Sequence, residues 1–187
     1  KVDAFVDSLS VVSVLVEENL LTNLKVVGAD ELSEGKKNKL RMAVKKTDAP
    51  FISILQKGLD NIEGSTKSKL FEKHFSSNRK LFEIREERQK VNLSNAEQKW
   101  IEDHPVITYS EINWKPMSII ENNTMTGVMG GYLDLISELT GLTFEFKAAE
   151  SWPDVLQQFK DQKIDFVPGI GNSEHEKSLG LISEPYK

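Results

Sequence analysis

Two tryptophans, a methionine and a short glycine–asparagine–serine stretch are the residues of this 187-residue chain best suited to hold a small molecule. Trp114 and Met117 follow an apolar run at 106–109, and an aromatic ring beside a soft thioether offers flat apolar contact to a solute. Trp152 follows a second such run at 142–146. Gly169, Gly171, Asn172 and Ser173 follow a third, at 164–167. Glycines there let backbone groups approach a ligand closely, while Asn172 and Ser173 add side-chain donors and acceptors. Structural alternatives stand beside these roles: Trp114 can cover a strand end, and Trp152 can plug the start of a helix.

Signals for catalysis are missing. The histidines are His74, His104 and His175, and none has a partner at metal-ligand spacing. The cluster Glu174, His175, Glu176 reads as a solvated turn. No Ser-His-Asp or Cys-His arrangement is signalled, and there is no G-x-x-x-x-G-K-[ST] phosphate loop. Gly130 and Gly131 read as the start of a helix. We therefore expect no catalytic residue, no metal site and no cofactor.

The elements that would position the candidates alternate strand and helix. The runs 106–109 and 142–146 flank a helical pattern in which Tyr132, Leu135, Ile136 and Leu139 share one face, and Gly141 stops it. Ser151 is a candidate N-cap for the next helix, with Pro153 in its first turn and Val155, Leu156 and Phe159 facing inward. The run 164–167 follows, then a turn at Gly169 and Gly171. This βαβαβ order builds a mostly parallel sheet with helices on both faces. When parallel strands end at a common edge, ligands bind in the crevice outside their carboxyl ends.

Composition bounds the class. Hydrophobic residues at 39% and charged residues at 28% are those of an ordinary globular protein. A net charge of −5 gives no basic face for nucleic acid. Cysteine is absent, which excludes disulfides and thiolate metal sites and fits a cytosolic or a bacterial periplasmic protein. No apolar run approaches the roughly 20 residues that span a bilayer. The chain starts at Lys1 in mid-pattern without a signal peptide, as expected of a piece of something longer.

The ordered series HPVI, W-x-P-M, the helix 131–139 followed by TGL, SWPDVLQQFKDQKIDFVPGI and SEPY resembles the opening lobe of the type II periplasmic solute-binding proteins, family 3. Within that family it is similar to the Venus-flytrap sensor modules of bacterial sensor kinases and cyclic-dinucleotide enzymes, whose lead-in LSNAEQKWIEDHP resembles. The resemblance covers nearly all of 93–187 and implies that the turn at 169–173 holds polar ligand groups. It also exposes a departure. Amino-acid binders of this family usually carry an arginine that grips the ligand carboxylate, and Glu176 stands at that place, with Lys177 beside it. A carboxylate there points to a cationic or neutral solute, unless Lys177 substitutes or the module only transmits.

The front of the chain resembles the other end of the same family. Residues 2–6, 24–27 and the stripe Leu9, Val12, Leu15 and Val16 look like the closing strand–helix–strand of a second lobe. In the resemblance Ser8 falls near a ligand contact, as a weak substitute for an acid or amide, beside Asp7. Residues 40–44 alternate with period two, and Asp48 with Pro50 begins a helix carrying Ile52, Leu55, Leu59 and Ile62. Gly64 is expected to end that helix and Ser65 or Thr66 to restart it. The expected organisation is 1–75, the end of a first module; 76–93, a charged linker; and 94–187, the opening lobe of a second. Ser94 and Glu97 fit a capping box where that lobe begins. The returning strand 40–44 thus precedes the strands it would join. Either it docks within one chain as a permuted lobe, which we prefer, or copies exchange it in a dimer.

Three functions compete at this stage. The favoured one is an extracytoplasmic (periplasmic) sensory module of a membrane-anchored protein that closes two lobes on a small polar solute, amino-acid-like or cationic. The others are a transport receptor and a small-substrate dehydratase on the same scaffold. A transmembrane segment followed by a kinase or cyclase in the full reading frame would favour the first, and turnover of candidate acids the third.

Overall fold

A computed structural model describes residues 9–21, 39–75 and 90–186. The expected strands at 2–6 and 24–27, residues Asp7 and Ser8, and the linker up to residue 89 lie outside the described residues.

After helix α1 (Leu9–Glu18), strand β1 (Arg41–Val44) leads into helices α2 (Ala49–Asp60) and α3 (Gly64–Phe75). Helix α4 (Asn95–Asp103) precedes β2 (Ile107–Tyr109), a hairpin of β3 (Ile119–Glu121) and β4 (Thr124–Thr126), and helix α5 (Gly127–Thr140). Then come β5 (Phe144–Phe146), α6 (Trp152–Lys160), β6 (Phe166–Ile170), α7 (Glu174–Leu179) and β7 (Leu181–Ile182). Five strands form one sheet in the order β5-β2-β6-β1-β7. β2 pairs parallel with both β5 and β6, with Tyr109 opposite Phe146 on one side and Phe166 on the other.

β1 pairs antiparallel with β6 and with β7, setting Arg41 opposite Ile170 and Ala43 opposite Ile182. It thus lies between these two strands of the same sheet. Met42, Ala43 and Val44 are each fully buried, because a strand with neighbours on both edges and helices over both faces has no solvent side.

One face of the sheet carries the larger core. Phe51, Ile54 and Leu55 of α2 meet Tyr132, Ile136 and Leu139 of α5 over Met42, Val44 and Phe166. The other face is covered by α6, whose Val155 and Phe159 pack on Ala43, Val167 and Ile170. α2 and α5 approach closely at Gly58, where a Cβ would stand 3.2 Å from Ile136 Cγ2.

Helix α4 is fastened to α2. Ser94 and Glu97 form the expected capping box. The Glu97 carboxylate also accepts from Ser53 Oγ at 2.7 Å and Lys57 Nζ at 2.6 Å. Burial pushes Glu97 upward, but these hydrogen bonds outweigh it and hold the carboxyl at about 2. Trp100 stacks between Phe51, at 4.9 Å, and His104, at 4.1 Å.

Several boundaries differ from expectation. α2 ends at Asp60 with Asn61 as its C-cap, and Gly64 opens α3 instead of closing α2. α5 begins at Gly127, not at Gly130 or Gly131. Those two glycines answer to packing: a Cβ on Gly130 would lie 2.8 Å from Met125 O, and one on Gly131 would run into Leu70 Cδ1. Gly141 does end α5, with φ +83°. The β3–β4 hairpin was not anticipated, although Asn122 and Asn123 at φ 50° and 58° are suited to its turn. Glu174, His175 and Glu176 lie in the short helix α7 rather than in an irregular turn.

Candidate solute-binding edge

Because β2, β5 and β6 run parallel, their carboxyl ends share one edge of the sheet. From β2 the chain continues through Glu111 to a turn in which Trp114 N–H donates to Ser118 O at 2.9 Å. Trp114 is half-buried against the main core. Met117, expected beside it as a ligand contact, is instead fully buried in that core and packs behind the edge. Trp152 opens α6 and is half-buried on the second core. Ser151 caps that helix as expected, its Oγ accepting from Asp154 N–H at 3.4 Å.

The third strand runs further than expected, so Gly169 lies inside β6 while Gly171, Asn172 and Ser173 follow it. Glu176 folds back over this turn. Its carboxylate accepts from Gly171 N–H at 3.0 Å, Ser173 N–H at 2.8 Å and Ser173 Oγ at 2.5 Å. Glu176 N–H donates to Ser173 Oγ at 3.2 Å, completing a capping box. Burial works to raise the Glu176 pKa, yet the bonds from Ser173 and Gly171 prevail and hold it below the usual carboxylate range. The donors expected to meet a ligand are thus engaged by a carboxylate of the chain itself. Asn172 is exposed at the tip.

The edge is acidic in character. An open, shallow groove beside the end of β5 is lined by Ala148, Ala149, Glu150 and Asp154, and neither Trp114 nor Asn172 lines it. Lys177 does not take over the missing arginine's role here, since its Nζ pairs with Glu174 at 2.8 Å. Lys115 pairs with Glu18 at 3.6 Å and Lys147 with Glu145 at 2.5 Å.

One residue of this edge escaped the sequence reading. Glu111 is buried, Tyr186 follows from the far end of the chain, and the Tyr186 hydroxyl donates to Pro168 O at 2.6 Å. The available signal was a lone acid directly after a strand, in TYSEI. Among the described residues no group of three or more His, Asp or Glu could hold a metal ion. No helix of the described residues is long and apolar enough to cross a membrane.

Comparison with known proteins shows what the chain is similar to. Residues 106–187 match the model of bacterial extracellular solute-binding proteins, family 3. The chain is 29% identical over 98 residues to the sensor protein EvgS of Escherichia coli (strain K12), covering 51% of this chain and 8% of that protein. The solved periplasmic domain of BvgS from B. pertussis is 23% identical with a TM-score of 0.43, over 46% of this chain and 17% of that one. The chain therefore spans a small part of each. Residues 106–187, which hold the parallel strands and their shared carboxyl edge, are thus similar to part of the bacterial extracellular solute-binding proteins, family 3.

Proposed function

We propose that this chain belongs to the extracytoplasmic sensory part of a membrane-anchored bacterial signalling protein, and that it binds a solute rather than transforming one. The similarity to a sensor protein over 98 residues supports the sensory role. In this reading residues 1–75 end one flytrap module, 76–93 connect, and 94–187 open the next. A small polar solute meets the edge formed by Trp114, Trp152 and the 169–173 turn, and lobe closure passes through the connector to an effector domain.

The observation that carries the solute class is the carboxylate of Glu176 over Gly171 and Ser173. It occupies the backbone and hydroxyl donors that a solute carboxylate would need, and it adds a like charge. Glu150 and Asp154 extend the same sign along the edge. A cationic or neutral solute is therefore favoured over an anionic one. Titration calorimetry with L-arginine methyl ester, a cation lacking a free carboxylate, tests this. Wild type should bind it at least tenfold more tightly than Glu176→Arg does, and acetate should show the opposite order. An unchanged preference in the variant would overturn the assignment.

A further inference from the structure

Glu111 has no part in the solute-binding scheme above, yet its carboxyl lies directly beneath the turn that the scheme relies on. The residue is 2% exposed. Its Oε1 accepts from Ile112 N–H at 3.0 Å, and its buried Oε2 has no hydrogen-bond partner among the described residues. An enclosed carboxylate normally gathers several donors, and this one has a single backbone N–H.

The neighbours of Oε2 explain a glycine. A Cβ built on Gly169 would stand 2.7 Å from Oε2 and 2.9 Å from Met129 Sδ, and closer still to the Met129 methyl. Glu111 and Met129 thus fill the space in which a side chain at 169 would begin. Two residues later Gly171 N–H supplies the first donor of the turn.

Among the described residues no charged group is seen to act on Glu111. From β6 it meets the backbone at Gly169, and the Met129 thioether of α5 lies against the same glycine. Tyr186, from the end of the chain, lies near enough for the Glu111 charge to act on it, and Tyr132 OH donates to Tyr186 O at 3.1 Å. Burial pushes both phenols up, Tyr132 to about 12 and Tyr186 well above its ordinary value.

We propose that Glu111 is the positioning residue of the 169–173 turn and acts as the uncharged acid, its carboxyl packing against Gly169 so that the turn keeps its backbone donors in place. Burial, offset only in part by the Ile112 N–H, raises its pKa to about 8, which agrees with a neutral carboxyl at neutral pH. The meaning of that turn for solute binding rests on the function proposed above. The test uses no solute, so either idea can fail without the other.

Amide hydrogen exchange at Gly171 and Ser173, read by NMR from pH 6.5 to 9.5 and corrected for the intrinsic rate, tests the proposal. In wild type the protection of both amides should fall at least tenfold across this range. Glu111→Gln, neutral and nearly isosteric, should hold protection at Gly171 and Ser173 constant within twofold. Equal pH dependence in the two proteins, or none in wild type, would overturn it. Should the variant fold poorly, the Glu111 carboxyl 13C shift in wild type decides instead. A midpoint near 8 that coincides with the loss of protection supports the role, and a midpoint in the ordinary carboxylate range refutes it.

Discussion

Alanine at Gly127 should destabilise the lobe by about 3 kcal/mol or more, through backbone strain and overpacking together. Gly127 sits at φ +89°, a region that L side chains rarely adopt. A Cβ there would also stand 2.7 Å from Pro116 O and 2.9 Å from Met117 O. Both are backbone atoms, so neither can swing aside as a side chain would. Those same carbonyls accept from Val128 N–H at 3.1 Å and Met129 N–H at 2.8 Å. They satisfy the first turn of α5, where Thr126 makes no side-chain cap. Adding one methyl group therefore pushes the turn that carries Trp114 away from the helix it caps. Urea unfolding of Gly127→Ala reads the loss. Gly64→Ala, where a Cβ meets nothing within 4 Å, provides the control and should change stability by no more than about 0.5 kcal/mol. Equal behaviour of the two variants would contradict the close approach at Gly127.

The second large effect concerns pH and Glu111. Its carboxyl rises from an ordinary 4.5 to about 8 on folding, because burial outweighs its one backbone hydrogen bond. The favourable contribution of the folded-state proton is full below 4.5 and is lost as pH climbs from there toward 8, where both states ionise. Between pH 5 and pH 8 wild type should therefore lose up to about 3.5 kcal/mol of stability relative to Glu111→Gln, the upper figure from the shift. A buried Gln carries its own cost at every pH, so the relative slope, not the offset, carries the result. Denaturant unfolding of both proteins at several pH values measures it, and parallel stability curves would contradict a neutral, buried Glu111. Glu97 works in the opposite sense: held at about 2, it adds stability above 4.5 that is lost as pH falls toward 2. The two carboxyls thus act in different pH windows.

Local chemistry made much of the scaffold legible. Gly141 stops α5 in the left-handed conformation its position implied. Ser94 with Glu97, and Ser151 with Pro153, open the helices that their spacing announced. The alternation at 40–44 became a strand, though one buried on both faces, since its place between β6 and β7 is a tertiary fact. The hairpin at β3–β4 was harder to see, because three-residue strands are too short to show a period. Gly130 and Gly131 misled for a different reason. Their small size serves contacts with Met125 and Leu70, which no local pattern reveals.

The edge was legible in part. Gly171, Ser173 and Glu176 do come together, and the Ser-x-x-Glu spacing that identified α4 recurs at Ser173 and Glu176. Read that way, it would have announced both α7 and the folded-back carboxylate. Met117 shows the opposite limit: a soft thioether suits a ligand or a core equally well, and burial decided for the core. Glu111 could not be placed from sequence, because its neighbours Gly169 and Tyr186 reach it only through the fold.

Amide and indole chemical shifts of the labelled protein, followed while L-arginine methyl ester or acetate is added, test the proposed solute-binding edge most directly. Saturable movement of Gly171, Asn172, Ser173 and the Trp114 indole with the cation, and none with acetate, is the predicted result. Saturable shifts confined to residues away from the carboxyl ends of β2, β5 and β6, or shifts at the edge with acetate alone, would contradict it.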